Sequence, residues 1–366
     1  MGPGGADVPR VLVVSGSVGA GHDGAARELA ARLTALGAEV SLRDFLDAVP
    51  RPAARMLREG YVETVLHAPV AFEFLFRRLE RRGLLWQVER AVCARAEARV
   101  AGWAAETRAD VVVSTYPLAS QALGALRAAG RLSVPVITYL TDPAVHVSWL
   151  HPAVDRHVTV TAATAEHGAA RYGMPFEVAG PLVPGRFGNR LAAAPAAAFR
   201  AELGLPEDRP VALLVAGSLG LGDVLSTTRA VTAAGLTPLV LCGRNEALRR
   251  SAGQEPGAVA LGWRTDVDRL MQIANVLVQN AGGLSFTEAL VAGLPTVTYR
   301  PIPGHGRANA RVMDAAGLAP WARTPDELGT LLRREAARRR TPPPEGDPAE
   351  LVLASVATRA AFGTAA

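Results

Sequence analysis

At 366 residues, 49% of them apolar and 20% charged, the chain is long for one core and natural for two globular domains. Its 39 basic side chains are all arginine, against 34 carboxylates, for a net charge of +5. The absence of lysine excludes a Walker A phosphate loop and a pyridoxal phosphate Schiff base. Cys93 and Cys242 stand far apart without partners at ligand spacing, so neither a disulfide framework nor a zinc knuckle is supported. No apolar run reaches the roughly 18 residues a membrane-spanning helix needs, and the opening MGPGGADVPR lacks a signal-peptide core. A cytoplasmic protein is expected.

Val11 to Val14 is a continuous apolar run that ends in the glycine-rich loop from Ser15 to His22. Ala26, Leu29, Ala30, Leu33 and Leu36 then recur at helical spacing, and Gly37 falls where a helix C′ glycine belongs. With a second strand at Glu39 to Arg43, this predicts a parallel βαβ start. Pro52 to Thr107 has a helical pattern interrupted by Pro69 and Gly83, and the stretch from Phe72 to Trp86 mixes bulky apolar side chains with paired arginines. Such a stretch suits an anionic membrane surface. It equally suits helices packed on a sheet with their arginines in solvent. Strands are predicted at Asp110 to Thr115, Pro135 to Leu140, Val158 to Val160 and Glu177 to Ala179, with a helix from Leu118 to Ala129.

The segment from Gly180 to Phe187 reads as a linker. After it the pattern restarts: Val211 to Val215 runs into a second glycine loop, Ala216 to Asp223, containing Gly217 and Ser218. Further strands follow at Leu239 to Cys242, Val259 to Leu261, Val276 to Val278 and Thr296 to Tyr299. The expected fold class is therefore α/β, with two Rossmann-like, doubly wound parallel-sheet domains facing across a cleft. Residues 1–184 form the first domain and 185–340 the second. Residues 341–366 are a loop and a last helix able to pack back on the first.

The stretch from Asn280 to Asn309 organises the second domain. A strand runs into Gly282 and Gly283, and Phe286, Ala289, Leu290 and Gly293 follow at helical spacing. A helix starting there points free N–H groups and its positive end at an anion such as a diphosphate. Ser285 and Glu288 match a capping box, in which Glu288 merely satisfies backbone amides; the same carboxylate lies within a turn of the anion site and suits a ribose diol. His22, at a helix N-terminus, suits a neutral general base or a simple capping residue. Asp142 follows a buried-type strand and precedes a proline, so it reads as a turn former or as a group facing the crevice. The first loop has the order G-x-x-G-x-G rather than G-x-G-x-x-G, and Asp44 stands where a ribose-binding acid would be, so a nicotinamide oxidoreductase stays a minor alternative.

The block from Val11 to Leu29 resembles the N-terminal signature of monogalactosyldiacylglycerol synthase-type glycosyltransferases. The blocks from Gly262 to Val267, Asn280 to Ala289, Gly293 to Pro295 and Pro301 to Gly304 resemble the C-terminal domain of glycosyltransferase family 28. The resemblance runs over most of residues 10–320. It implies a GT-B fold and inverting, metal-independent transfer of a sugar from a UDP-sugar to a hydroxyl, often on a lipid. It implies His22 as the base, or as a group that helps position and deprotonate the acceptor, and Asp142, at a strand's carboxyl end, is the second catalytic candidate. Donor contacts would come from Gly217, Ser218, Arg244, Asn245, Trp263, Arg264, Gly282, Gly283, Leu284, Ser285, Glu288, His305 and Asn309. Gly19, Gly21, Phe76, Trp86 and His146 would face the acceptor.

No metal or other cofactor and no nucleic-acid partner is expected. The partners are a nucleotide sugar, a lipid or other hydrophobic acceptor, and an anionic membrane surface on the cytoplasmic side. One departure stands out: family members commonly carry Gln-Glu where this chain has His305-Gly306, which leaves the sugar open. A soluble natural-product glycosyltransferase and a non-catalytic nucleotide-sugar-binding regulator are the alternatives.

Overall fold

A computed structural model describes residues 8–81, 83–215, 217, 220–338, 340, 341 and 344–363, and the side chains of all of these except 61, 62, 66 and 358–363. The first half runs β1 (Arg10–Ser15), α1 (Ala20–Ala35), β2 (Glu39–Asp44), α2 (Arg51–His67), α3 (Pro69–Leu79), α4 (Leu84–Glu106), β3 (Val111–Ser114) and α5 (Pro117–Ala128). It closes with β4 (Val136–Tyr139), β5 (Arg156–Thr159), α6 (Ala162–Tyr172) and β6 (Glu177–Val178). The second half runs α7 (Ala193–Glu202), β7 (Val211–Val215), α8 (Val224–Ala233), β8 (Thr237–Leu241), α9 (Glu246–Gly253), β9 (Val259–Leu261) and α10 (Val267–Ile273). It continues with β10 (Val276–Gln279), α11 (Leu284–Ala292), β11 (Thr296–Tyr299), α12 (His305–Ala315), β12 (Trp321–Ala322), α13 (Pro325–Ala336) and α14 (Pro348–Gly363).

Each half holds a six-stranded sheet, ordered β2-β1-β3-β4-β5-β6 in the first and β12-β11-β10-β7-β8-β9 in the second. The paired strands run parallel, as in the register Val11 to Val40 and to Val111, or Leu213 to Leu277 and to Leu239. Side chains alternate across a strand, so Val11 and Val13 enter the core on one face of the first sheet while Leu12 and Val14 enter the other. Ala212 and Leu214 are likewise separated from Val211 and Leu213 in the second sheet. Burial on both faces explains the uninterrupted apolar runs that mark these strands in the sequence.

In both sheets the strand order reverses beside the first strand, between β1 and β3 and between β7 and β10. Open α/β sheets bind ligands at the carboxyl ends of strands flanking such a reversal. The two reversals face one another here. The core changes hands between Leu182, packed with the first domain, and Val183, packed with the second. The chain returns through Ala349 and Val352 of α14, which sit in the first domain's core, and Arg156 binds Ser355 Oγ at 2.8 Å.

Candidate active site

The first reversal places the loop after β1 beside the loop after β3. Gly16 is forced by this approach, because a Cβ there would lie 2.4 Å from the Tyr116 ring. Ser15 and Ser17 donate to the two oxygens of Asp23 at 2.6 and 2.9 Å, and Asp44 accepts from the amides of Ser17 and Leu46. The Asp44 carboxylate thus shapes the glycine loop. α1 begins at Ala20, so His22 lies in its first turn.

His22 Nδ1 lies 2.8 Å from Thr115 O and 3.2 Å from Thr141 Oγ1. A carbonyl can only accept, so Nδ1 carries the proton and the neutral ring keeps Nε2 as a bare acceptor. Tyr116 packs edge-on against the ring at 5.3 Å and Trp149 lies at 5.7 Å. Burial pulls the His22 pKa below its ordinary value; Asp142 and Asp23, which favour the cation, offset this only in part. The ring is therefore a neutral base with carboxylates placed to stabilise the cation it would become.

The second reversal supplies the loop from Asn280 to Gly283. Gly282 has φ of 83°, and a Cβ on it would lie 2.8 Å from both Asn309 Cβ and Met313 Cε. Gly283 is the N-cap of α11 and no side chain caps that end. Ser285 is thus inside the helix rather than at its cap, and the capping box read from Ser285 and Glu288 does not form. Its physical reason is that the helix opens at Leu284, one residue too early for Ser285 to reach back. Glu288 faces the cavity instead, and burial pushes its carboxyl up to about 8, with Arg186 pulling down and Asp268 adding repulsion.

The two ends meet in one cleft. Leu284 Cβ is 3.8 Å from the Cβ position of Gly21, and Asn309 Nδ2 donates to Asp142 Oδ1 at 3.1 Å and to Ala281 O at 2.9 Å. Asn309 Oδ1 accepts from Ala144 N at 2.9 Å, which ties α12 to the first domain. The cavity between the domains measures about 1290 Å³. Single small-molecule sites are typically about 300–1,000 Å³, so this one has room for a nucleotide sugar and an acceptor together.

Most of the residues singled out in the sequence line this cavity: Gly19, Gly21, His22, Phe76, Asp142 and His146 from the first domain, and Gly217, Trp263, Arg264, Gly282 to Ser285, Glu288, His305 and Asn309 from the second. Several are already engaged. The Arg264 guanidinium is held by Asp266 at 2.7 and 2.5 Å, and Asn309 has its whole amide committed between the domains. His146 stacks on Phe76 at 4.2 Å, with Nε2 at 3.2 Å from Phe76 O and Nδ1 accepting from Ser148 N.

Three expected contacts lie elsewhere. Asn245 caps α9 by accepting from Leu248 N at 2.9 Å, and Arg244 stacks over the Trp263 ring at 4.7 Å rather than lining the cleft. Trp86 lies under Arg90 of its own helix, off the cavity wall. Ser218 is outside the described residues. Thr115 and Thr141, which set the His22 tautomer, were not singled out; each follows a strand, and only the pairing of β1 with β3 and β3 with β4 brings them to α1.

Apolar side chains of the first domain also line the cavity: Val18, Met56, Leu57, Phe72, Leu75 and Leu79. α3 has no buried residue: Phe72 and Phe76 line the cavity while Val70 and Phe74 are 82% and 55% exposed. No helix among the described residues is long and apolar enough to cross a membrane.

Comparison with known proteins agrees with this geometry. A family model described as monogalactosyldiacylglycerol (MGDG) synthase matches residues 22–175. A processive diacylglycerol beta-glucosyltransferase of Bacillus mycoides is 30% identical over 227 residues, covering 60% of this chain and 58% of the relative. One of the same description from Bacillus cereus is 29% identical over the same shares. The chain thus spans 58% of the length of these curated relatives. MurG of Acinetobacter baumannii superposes with a TM-score of 0.60 at 16% identity, covering 95% of this chain and 99% of that one. Os79 of O. sativa, solved in complex with UDP, gives a TM-score of 0.56 at 16% identity, covering 95% and 94%.

Two Rossmann-like halves with their reversal points facing across one cleft define the GT-B class of glycosyltransferase fold. Within that class, residues 22–175 are similar to the monogalactosyldiacylglycerol synthase family model, a match that leaves the Gly282 to Glu288 segment outside it.

Proposed function

We propose that the chain transfers a sugar, with inversion, from a UDP-sugar to a hydroxyl of a diacylglycerol-like lipid at an anionic membrane face on the cytoplasmic side. The donor diphosphate sits on the N-terminus of α11, where the uncapped amides near Gly283 to Ser285 and the helix dipole take up the leaving-group charge without a metal ion. Glu288 receives the ribose diol. The acceptor hydroxyl approaches C1 of the sugar from the side opposite the diphosphate and gives its proton to His22 Nε2 as the new C–O bond forms. The old C1–O bond breaks, and its electron pair leaves on the diphosphate. Asp142 and Asp23 stabilise the imidazolium.

The observation that carries the lipid acceptor is α3, apolar both toward the cleft and toward solvent. Its Phe72, Leu75 and Phe76 line the same cavity as His22. Arg78, whose guanidinium lies over the Phe74 ring at 4.9 Å, borders the outer face and exposed Arg81 follows it, as contact with anionic headgroups requires. A soluble acceptor would leave the exposed Val70 and Phe74 unexplained.

The test supplies purified protein with a panel of UDP-hexoses and dioleoylglycerol in anionic vesicles, and follows glycolipid by chromatography and binding by flotation. Glycolipid formation with salt-sensitive flotation is expected, both reduced in a Val70→Glu/Phe74→Glu variant. Transfer to soluble hydrophobic alcohols with no vesicle association would overturn the lipid reading. A thermal shift with GDP or dTDP compounds alone would overturn the UDP assignment.

A further inference from the structure

The diphosphate on α11 and the acceptor hydroxyl on His22 leave the sugar between them, and the segment entering α12 forms the third side of that space. The Cβ position of Gly306 is 2.9 Å from Asn280 O, and Asn309 reaches Ala281 O, so this segment lies directly beside the diphosphate loop. A hexose is selected chiefly by acceptors for its hydroxyls. Yet Pro301 to Gly306 contains no carboxylate.

A carboxylate reaches the same place from the other domain. Glu73 of α3 accepts from Gly304 N at 2.7 Å, pairs with Arg77 at 2.7 Å and Arg307 at 3.6 Å, lines the cavity, and has a side chain only 13% exposed. Its neighbour Phe72 packs edge-on to His305 at 6.2 Å, and a Cβ on Gly304 would lie 2.6 Å from Phe72 Cε1. Gly304 also has φ of 68°, so a glycine is required where α3 docks. Burial opposes ionisation of Glu73, but the Gly304 amide, Arg77 and Arg307 outweigh it and hold the carboxyl below its usual range.

We propose that Glu73 is a donor-specificity residue, whose carboxylate, delivered from the first domain onto the start of α12, accepts hydroxyls of the sugar being transferred. This rests on the nucleotide-sugar reading above. Donor choice then belongs to the closed cleft, because the second domain alone binds the nucleotide but lacks the group that recognises the hexose. It also links the helix that guides the acceptor to the sugar that is transferred.

The experiment measures binding of UDP alone and of UDP-glucose, UDP-galactose and UDP-N-acetylglucosamine by calorimetry, with KM and kcat, for the wild type, Glu73→Gln and Glu73→Ala. Loss of a charged hydrogen-bond acceptor should weaken the preferred UDP-sugar by about tenfold to a hundredfold and compress the preference among sugars. Affinity for UDP alone should stay within about twofold. Unchanged sugar preference in both variants would overturn the proposal. So would an equal loss for UDP and UDP-sugar, which would make Glu73 only a tie between domains. If the wild type binds UDP yet no UDP-sugar, the specificity role fails while the nucleotide site stands; if it binds neither, both readings fail.

Discussion

Gly282 and Gly283 are adjacent in the sequence, but substitutions there should fail for different reasons. Gly282 has φ of 83°, a conformation that destabilises an alanine by about 1–2 kcal/mol. Its added Cβ would also lie 2.8 Å from Asn309 Cβ, on a residue pinned by hydrogen bonds to Asp142, Ala281 and Ala144, so the neighbour cannot give way. Overpacking of that kind costs about 1–3 kcal/mol. Gly282→Ala should therefore lose about 2–5 kcal/mol in equilibrium urea unfolding followed by tryptophan fluorescence. A Cβ on Gly283 meets nothing within 4 Å, and Gly283 lines the cleft. Gly283→Ala should stay within about 1 kcal/mol of wild type while UDP binding, measured by calorimetry, weakens about tenfold or more as the methyl takes the diphosphate's space. The reasoning is refuted if the first variant is as stable as wild type, or if the second unfolds more easily than the first.

Three further outcomes follow from the same geometry. His22→Gln should lower transfer by about 10²–10⁴ with UDP-sugar affinity retained, and the wild-type kcat/KM profile should lose its acid limb only below pH 6.5, because burial depresses the base's pKa. An acid limb above that pH would contradict the assignment. The Glu288 pKa is raised in the folded state to about 8, so its contribution to stability is complete in acid and disappears as pH rises through about 8. Apo protein should lose stability over that window, Glu288→Gln should not show that component, and UDP binding near pH 7 should release a proton, seen as buffer-dependent calorimetric heat. Arg340 donates to the carbonyls of Ala292, Met271, Gln272 and Ala274, and Arg340→Met should cost about 2–3 kcal/mol by stranding them. A change under about 0.5 kcal/mol would show that water replaces the guanidinium.

Strands buried on both faces were legible because Val11 to Val14 and Val211 to Val215 admit no polar residue, and a glycine loop after each marked the reversal points. β12 was not legible, since Trp321 and Ala322 pair for only two residues at a sheet edge. His22 and the glycines near Leu284 could be found because each depends on local chain geometry. Glu73 could not, since its partner Gly304 is 231 residues away and nothing in a basic amphipathic helix marks one glutamate from the next. The resemblance implies Asn309 as a donor contact, and it lines the cavity. Its amide also binds three groups that the sequence does not bring together.

The chain passes between its halves twice, and the two passages touch. The Cβ position of Gly180 is 2.7 Å from the carbonyl oxygens of Glu345 and Gly346, and that of Gly346 is 2.7 Å from Ala179 O, with φ of 88° and 106° at the two glycines. A door hung on two neighbouring pins swings about the line through them and resists twisting. Two crossings in contact restrict how one half can turn against the other more than a single crossing would. A bulky side chain at either glycine would prise the pins apart and misalign the two halves without altering any residue that faces the substrates.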